Sequence, residues 1–240
     1  SAGLPTKSEQ TDLLQVLFGR NGESPMPVVA ASSPTDCFDA AYLACKIALE
    51  HMTPVVLLTD AYIANGSAAW RLPDLNTYPS ICPPYVKPEM ADSWTPFQRD
   101  PQTGVRYWAT PGTPGFMHRI GGLEKSNETG AISTEPENHF LMTKLRAEKV
   151  EKIADSLPPL TVEGDPDADL LIVGFGGTYG HLHSAMDQLN AMGKKTALAH
   201  FRVINPLPKN TAEVLRKYKT IVVAEQNMGQ LAGYLRMKVE

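Results

Sequence analysis

Residues 168–193 read ADLLIVGFGGTYGHLHSAMDQLNAMG, and this stretch decides the fold. Its apolar run at 170–173 ends in a series of glycines, and apolar side chains then recur at steps of three and four from Leu182 to Met192. A further apolar run follows at 196–201. This order predicts a strand, a glycine turn, a helix and a second strand, which together form a βαβ unit of a parallel sheet.

The glycine turn raises the question of a bound nucleotide. A dinucleotide fingerprint has glycines at its first, third and sixth positions and an acid about 20 residues later. Counted from Gly174, the sixth position is Tyr179, and the second strand ends in His200, Phe201 and Arg202 without a carboxylate. We therefore expect the glycines to allow a tight turn and close packing of helix against strand, and we expect no dinucleotide there.

The composition argues against several classes of function. The chain has 240 residues, a net charge of −4, a pI near 5.9 and 42% hydrophobic residues. The acidic balance argues against nucleic acid as a main partner, and no apolar run reaches the roughly 18 residues of a membrane helix. Three scattered cysteines (Cys37, Cys45 and Cys82) are typical of a reducing compartment and too few for an iron–sulfur cluster. No secretory signal opens the sequence, so we expect a cytoplasmic protein.

A second βαβ pattern precedes the first one in the chain, because residues 28–58 also place a helical pattern between two short apolar runs. The later run is followed by Asp60, Tyr62, Asn65 and Ser67. Open α/β sheets bind ligands at the carboxyl ends of their parallel strands, so these residues are candidates for an active-site loop. The alternative is that they only stabilise the loop.

Residues 61–135 differ from both units, because prolines crowd them and aromatic residues are interspersed. A disordered linker would hold fewer aromatic rings, so we expect an ordered connection that its rings fix to the surface. A long polar helix is predicted at 137–157, and its mixed charges are typical of a solvated face. After residue 165 the α/β pattern continues with a helix at 211–218, a strand at 221–224 and a last helix from residue 230.

Six further strings carry a resemblance to one family, in order along nearly the whole chain. They are SAGLPTKSEQTDLLQVLFGRNGESPMPVVAASSPTDCF (1–38), MTPVVLLTDAYIANGSAAW (52–70), GGLEKSNETG (121–130), PENHFLMTKLRAEKV (136–150), FRVINPLPKN (201–210) and VVAEQNMGQL (222–231). With ADLLIVGFGGTYG at 168–180, they resemble the alpha subunits of 2-oxoacid:ferredoxin oxidoreductases, especially of the 2-oxoglutarate enzymes. The strings are unusual, so the resemblance is specific.

The resemblance implies a reaction. The family decarboxylates a 2-oxoacid on thiamine diphosphate, passes two electrons through iron–sulfur clusters to ferredoxin and transfers the acyl group to coenzyme A. For this chain we expect 2-oxoglutarate as the substrate and succinyl-CoA as the product. The thiamine diphosphate is expected to be shared with a partner beta subunit, which is also expected to hold the Mg²⁺ and an iron–sulfur cluster.

The resemblance also implies an α/β fold in three parts. Residues 1–75 are expected to form the later part of a pyrimidine-type thiamine domain. Residues 76–165 are the proline-rich connection with the long polar helix, and residues 166–240 are expected to form a parallel α/β domain like the C-terminal domain of transketolase. Thr6, in the string GLPT, matches the family's substrate-binding threonine.

The chain departs from the family pattern at its start. It has Ser1-Ala2-Gly3 in place of Ser-Thr-Gly, and the motif, the glutamate and the arginine that would precede these residues are absent. It also ends inside a predicted helix. We therefore expect a fragment cut at both ends and inactive alone, with no catalytic residue and no metal ligand of its own. A pyruvate or branched-chain enzyme, a different thiamine enzyme and a non-catalytic subunit-interface module stay open as alternatives.

Overall fold

The computed structural model describes residues 9–239, which fold into helices packed on two sheets. The helices are α1 Leu13–Phe18, α2 Cys37–Glu50, α3 Ala61–Asn65, α4 Pro136–Glu151, α5 Tyr179–Ala191, α6 Thr211–Arg216 and α7 Gln230–Lys238. The strands are β1 Val28–Ala30, β2 Val56–Leu58, β3 Val162–Gly164, β4 Leu170–Phe175, β5 Thr196–Phe201, β6 Val203–Asn205 and β7 Thr220–Val223. The first sheet has the order β2-β1-β6 and the second the order β3-β5-β4-β7.

Both predicted βαβ units are confirmed. Strand β4 pairs in parallel with β5, from Leu170 opposite Thr196 to Phe175 opposite Phe201, and with β7 on its other side. Strand β1 pairs in parallel with β2 across the crossover helix α2. The α/β class with parallel strands therefore follows from the local apolar periodicity of each unit.

The sequence pattern does not predict two of the short strands, β3 and β6. The segment between the long helix and residue 165 contains β3, which pairs antiparallel with β5. At Arg202 the chain leaves the second sheet and at once enters the first, where β6 pairs antiparallel with β1. The predicted helix at 137–157 is also shorter than expected, since α4 ends at Glu151 and a 3₁₀ helix, Lys152–Ser156, continues it.

One apolar core joins the two sheets. Val28 and Ala30 of β1 are buried in the same cluster as Val173 of β4, Phe201 of β5 and Ile204 of β6. The β5–β6 crossing therefore fastens the first sheet to the second, and it brings the carboxyl ends of β1, β2 and β4 to one place. This placement decides where a ligand could bind.

The connection at 66–135 contains two 3₁₀ turns, Leu75–Thr77 and Pro88–Met90, and isolated bridges between its parts. Its aromatic rings pack as expected. The ring of Tyr78 meets Phe38 and Tyr42 of α2 edge-on, at 5.7 and 4.8 Å between centroids, and Trp94 meets Phe116 at 5.5 Å. The predicted ordered connection is confirmed. No helix between residues 9 and 239 is long and apolar enough to cross a bilayer.

Candidate functional site

A cleft opens where the carboxyl ends of β1, β2 and β4 meet the segment that leads into α1. Parallel strands present unpaired backbone and loop side chains at this edge, which is where open α/β sheets bind ligands. We call it the strand-end cleft, and it is lined by Glu9, Gln10, Thr11, Asp12, Leu13, Ala30, Leu58, Thr59, Asp60, Phe175 and Gly176. Residues from both sheets thus form one site.

Asp60 connects the two sheets at the floor of the strand-end cleft. One carboxylate oxygen, Oδ1, accepts the backbone N–H of Ile63 at 3.0 Å and so caps α3. The other, Oδ2, accepts the backbone N–H of Gly177 at 2.9 Å, 117 residues along the chain. The loop-stabilising contacts considered for this residue are therefore present, and its part in an active site stays a prediction.

The glycine turn is shaped by these close contacts. Gly176 has φ of +60°, and a Cβ on it would lie 2.7 Å from Nε2 of Gln10. A Cβ on Gly177 would lie 2.3 Å from Oδ2 of Asp60. The turn also presents its N–H to a carboxylate, which would repel a phosphate. A Cβ on Gly174 of β4 would lie 2.3 Å from Cδ1 of Leu182 on α5. The expectation that the glycines serve a tight turn and close packing of helix against strand is therefore confirmed.

Gln10 is a residue that the sequence analysis missed. Its side chain is 7% exposed, although it lies on a segment without regular structure. Its Nε2 donates to the carbonyl of Phe175 at 2.7 Å, and its Oε1 accepts the backbone N–H of Gln226 at 3.2 Å. The only local signal is a polar residue three positions before the apolar helix α1, and it does not indicate partners in the second sheet.

The other candidate side chains are divided between the two sheets and the solvent. The ring of Tyr62 meets the ring of His181 on α5 edge-on at 5.2 Å, so it contributes to the junction of the sheets. Asn65 donates to the carbonyl of Ala61 in its own helix at 2.9 Å, and Ser67 is exposed. The structure thus brings Asp60 and Tyr62 towards the second sheet and leaves Asn65 on its own helix. Thr6, predicted to bind the substrate, lies outside the described residues; α1 begins after Asp12.

The charge of the strand-end cleft is negative. Its described lining contains the carboxyl groups of Glu9, Asp12 and Asp60 and no lysine or arginine. A cationic group is therefore favoured in the cleft, and a diphosphate is disfavoured. Over the part of the chain that the structure describes, no three His, Cys, Asp or Glu side chains are close enough together to hold a metal ion.

Behind the glycine turn lies a histidine that stays neutral. His200, at the end of β5, pairs with Gly174 of β4, and the ring of Tyr179 meets its ring edge-on at 5.2 Å. Burial lowers the pKa of His200 to about 4. Its Nε2 lies 3.4 Å from Oγ1 of Thr178, whose hydroxyl donates to the carbonyl of Phe175 at 2.7 Å. An uncharged imidazole therefore contacts the glycine turn through the hydroxyl of Thr178.

Comparison with known protein families gives two matches that together cover most of the chain. Residues 1–137 match the family described as "Pyruvate flavodoxin/ferredoxin oxidoreductase, thiamine diP-bdg". Residues 168–240 match "Pyruvate:ferredoxin oxidoreductase core domain II". The two matches follow each other in the order that the resemblance predicts.

Individual relatives agree with the family matches. The chain is 51% identical over 99% of its length to 2-oxoglutarate oxidoreductase subunit KorA of Mycobacterium tuberculosis, and it spans 36% of that relative. It is 30% identical, over 99% of its length and 38% of the relative, to 2-oxoacid:ferredoxin oxidoreductase 1, subunit alpha, of Aeropyrum pernix. A solved structure of 2-oxoglutarate:ferredoxin oxidoreductase from Magnetococcus marinus, with 2-oxoglutarate, coenzyme A and succinyl-CoA bound, superposes with a TM-score of 0.89 at 28% identity and covers 100% of this chain and 42% of that one.

Proposed function

This chain belongs to the pyruvate flavodoxin/ferredoxin oxidoreductase family, and from that membership we propose that it is the alpha-subunit portion of a 2-oxoglutarate:ferredoxin oxidoreductase. The proposed reaction converts 2-oxoglutarate and coenzyme A into succinyl-CoA and carbon dioxide and passes two electrons to ferredoxin. The observation that carries the proposal is the 51% identity to a 2-oxoglutarate oxidoreductase subunit, against 30% to an alpha subunit named only for 2-oxoacids.

Thiamine diphosphate is the cofactor that the family implies, and the described residues fit only a part of it. The acidic lining of the strand-end cleft, with Glu9, Asp12 and Asp60, is unsuited to a diphosphate. We therefore propose that a partner beta subunit binds the diphosphate end, with the cofactor shared between the two chains. The resemblance implies that the same partner holds the Mg²⁺ and an iron–sulfur cluster. When bound, thiamine supplies the carbanion chemistry of decarboxylation. The three-part division at residues 75 and 165 belongs to the same proposal.

For this chain's own residues we propose a role in substrate binding. Thr6 carries the hydrogen bond to the carboxylate of the 2-oxoacid, as the resemblance implies. Asp60 and Tyr62 lie in the loop that faces the glycine turn, and Asp60, which is fixed at both carboxylate oxygens, positions this loop and does not itself contact the anionic substrate. A residue held in this way keeps the loop rigid while the substrate binds. Asn65 belongs to the same loop and lies farther from the junction.

Substrate profiling of the complete enzyme tests the proposal. The full-length alpha chain would be assembled with its beta subunit, and ferredoxin reduction would be measured with 2-oxoglutarate, pyruvate and a branched-chain 2-oxoacid. Since a bond to a charged group contributes about 1.5–3 kcal/mol, we expect kcat/KM for 2-oxoglutarate to exceed that for pyruvate by about 10- to 150-fold. Equal values would favour a general 2-oxoacid enzyme, the alternative that the relative from Aeropyrum pernix supports.

A single substitution tests the substrate role of Thr6. In the complete enzyme, Thr6→Val should lower kcat/KM by about 10- to 150-fold, because the charged hydrogen bond is lost. Thr161→Val, at an exposed position before β3, is the matched control and should leave kcat/KM unchanged. If Thr6→Val lowers only the melting temperature, Thr6 is structural. If this chain is needed for assembly alone, both variants will keep full turnover, and the interface-module alternative gains support.

A further inference from the structure

We propose that Arg99, Arg106 and Lys149 bind a phosphate group where the connection at 66–135 packs on α4. We call these three residues the cation cluster. None of them lines the strand-end cleft, and the proposed reaction gives them no task. The inference therefore goes beyond the proposed function and does not depend on the substrate assignment.

The backbone brings the two arginines together. Arg99 and Arg106 lie directly opposite each other in an isolated antiparallel bridge. Opposed residues of an antiparallel pair lie on one face with Cβ atoms about 5 Å apart, and like charges there are destabilising. Both guanidinium groups lie over the ring of Phe97, at 6.0 and 4.4 Å from its centroid. The two positive charges are thus held side by side.

Helix α4 adds a third positive charge. The turn between the two arginines contains Gly104, where a Cβ would lie 3.8 Å from Cβ of Lys149. Burial and the charges of Arg106 and Arg99 lower the pKa of Lys149 to about 8. The Lys149 ammonium is therefore repelled by both guanidinium groups.

The hydrogen-bond partners of the cation cluster are neutral. Arg99 donates to the side-chain and backbone oxygens of Asn127 at 2.6 and 2.8 Å, and Arg106 donates to a backbone carbonyl at 3.4 Å. Lys149 donates to a carbonyl of the turn after α2 at 2.8 Å. None of the ion pairs among residues 9–239 includes any of the three.

The nearby carboxylates are engaged elsewhere. Asp100 follows Arg99 in the chain, so it lies on the opposite face of the same extended segment. Its Oδ1 accepts the backbone N–H of Thr103 at 2.7 Å. Glu124 pairs with Arg146 at 3.1 Å. Neither carboxylate therefore neutralises the cation cluster.

The unpaired charges and open donors are suited to phosphate. Arg106 makes a single hydrogen bond to the described residues, so most of its N–H donors are open to a ligand. A guanidinium binds two phosphate oxygens at once, and an ammonium adds a point charge. A phosphate monoester carries close to two negative charges at pH 8, whereas a carboxylate carries one. Three neighbouring cations therefore favour phosphate over a carboxylate.

The test measures the reactivity of Lys149 in the full-length alpha chain assembled with its beta subunit. Acetic anhydride labels neutral amines, and mass spectrometry of the digested protein gives the labelling rate at each lysine. At pH 8 about half of the Lys149 amine is neutral. If bound inorganic phosphate makes its protonation about tenfold more favourable, the neutral fraction falls to about a tenth, and labelling should fall about fivefold. Lys144, exposed on the same helix, is the internal control and should keep its rate.

Sodium chloride at the same ionic strength separates binding from screening. Chloride should protect Lys149 much less than inorganic phosphate does. Equal protection by the two salts, or equal protection of Lys144 and Lys149 by phosphate, would overturn the inference. This measurement uses the unaltered chain and follows no turnover, so neither a misfolded variant nor a wrong substrate assignment affects it.

Adenosine 3′,5′-bisphosphate distinguishes two sources of the phosphate, because it carries the nucleotide phosphates of coenzyme A without the thiol. Protection of Lys149 at a lower concentration than inorganic phosphate requires would assign the site to coenzyme A, the cosubstrate of the proposed reaction. Protection at the same concentration would assign it to free phosphate.

A matched pair of variants tests the part of Arg106. Arg106→Met removes the most open donor group, and Arg71→Met makes the same change at an exposed position of the connection. The readout is the ratio of Lys149 labelling rates without and with phosphate, because Arg106→Met also changes the pKa of Lys149. This ratio should fall from about 5 to below about 2 in Arg106→Met and stay at the wild-type value in Arg71→Met. An unchanged ratio in Arg106→Met would overturn the proposed site.

Discussion

The second sheet and the connection at 66–135 are held together in different ways. In β4 and β5 nearly every side chain is buried, and Phe201 is fully enclosed. The connection is about as long as the whole second α/β unit, yet its only buried residues are Val105, Phe116 and Lys125. The sheet is stabilised by a shared core, so each residue depends on many others. The connection is stabilised by separate ring and hydrogen-bond contacts, so each part can be lost by itself.

A matched pair of substitutions tests this comparison with the largest expected change in stability. Phe201→Ala removes a ring from the shared core and should lower the free energy of unfolding by about 3–5 kcal/mol. Phe116→Ala, at 5% exposure in the connection, should open only its own contacts with Trp94 and cost the sheets less than about 1 kcal/mol. Urea denaturation followed by far-UV circular dichroism measures both. An equal loss in the two variants would mean that the connection folds cooperatively with the sheets.

The same contrast explains what the sequence could predict of the fold. Strands β4 and β5 and the helix between them are long enough for local periodicity to identify them. Strands β1 and β2 have three residues each, but the helical pattern between them identifies them as a βαβ unit. Strands β3 and β6 are equally short, and their pairing is decided by partners elsewhere in the chain. The string FRVIN looks like one continuous strand, and only the position of β1 shows that it changes sheets at Arg202. Local pattern carries no such information.

A second test concerns the titration of a buried base in the second sheet. His200 has an unfolded pKa near 6.5, and burial lowers its folded pKa to about 4. Above pH 6.5 both states are neutral and His200 has no effect. As pH falls from 6.5 to 4, only the unfolded state gains the proton, so the protein loses stability, by at most about 3 kcal/mol.

Variants isolate this contribution. His200→Gln should lose less stability than wild type between pH 7 and pH 5, whereas Gln188→Ala, which removes an exposed and non-titrating side chain on α5, should follow the wild-type pH dependence. Urea midpoints at several pH values provide the measurement. Parallel curves for wild type and His200→Gln would show that the imidazole does not carry this pH dependence.

The third test concerns Lys149 of α4, which lies near Arg99 and Arg106 of the connection. Burial and these two guanidinium groups lower the pKa of Lys149 to about 8. Above pH 10.5 the lysine is neutral in both states. As pH falls from 10.5 to 8, the unfolded state gains a proton first, so stability is lost, and the full cost remains below pH 8.

Lys149→Met removes that cost together with the hydrogen bond to the carbonyl of Met52. We expect the variant to be more stable than wild type by about 1–2 kcal/mol at pH 7, and no more stable at pH 10.5. Lys144→Met, which removes an exposed ion pair with Glu148 on the same helix, is the control and should be nearly neutral at both values. If Lys149→Met is less stable than wild type at pH 7, the predicted direction of the stability change is wrong.

The candidate site was predictable to the same extent as the strands that end there. Asp60 follows a strand, so its place at the carboxyl edge is a local inference. Gln10 has hydrogen-bond partners 165 and 216 residues along the chain, and the residues next to it in the sequence do not predict these contacts. The position of Asp60 at a strand end is therefore predictable from the sequence, whereas the contacts that Asp60 and Gln10 make with the second sheet are not.

The smallest expected effect concerns Arg106, whose guanidinium lies 4.4 Å from the centroid of the Phe97 ring. Arg106→Met loses this cation–π contact, which contributes about 0.5–1 kcal/mol at a partly exposed site, but it also relieves the repulsion of Lys149 and Arg99. The two changes oppose each other, so stability at pH 7 should stay within about 0.5 kcal/mol of wild type.

The sharper readout is the pKa of Lys149, which should rise in Arg106→Met because that guanidinium is one of the causes holding it down. Lysine side-chain NMR across pH 6–11 measures it. Arg99→Met is the comparison, because Arg99 also donates to the carbonyl and side-chain oxygens of Asn127 at 2.8 and 2.6 Å. Its loss should destabilise the connection while also raising that pKa. If the Lys149 pKa is unchanged in both variants, burial alone controls it, and the connection tolerates its cations without mutual repulsion.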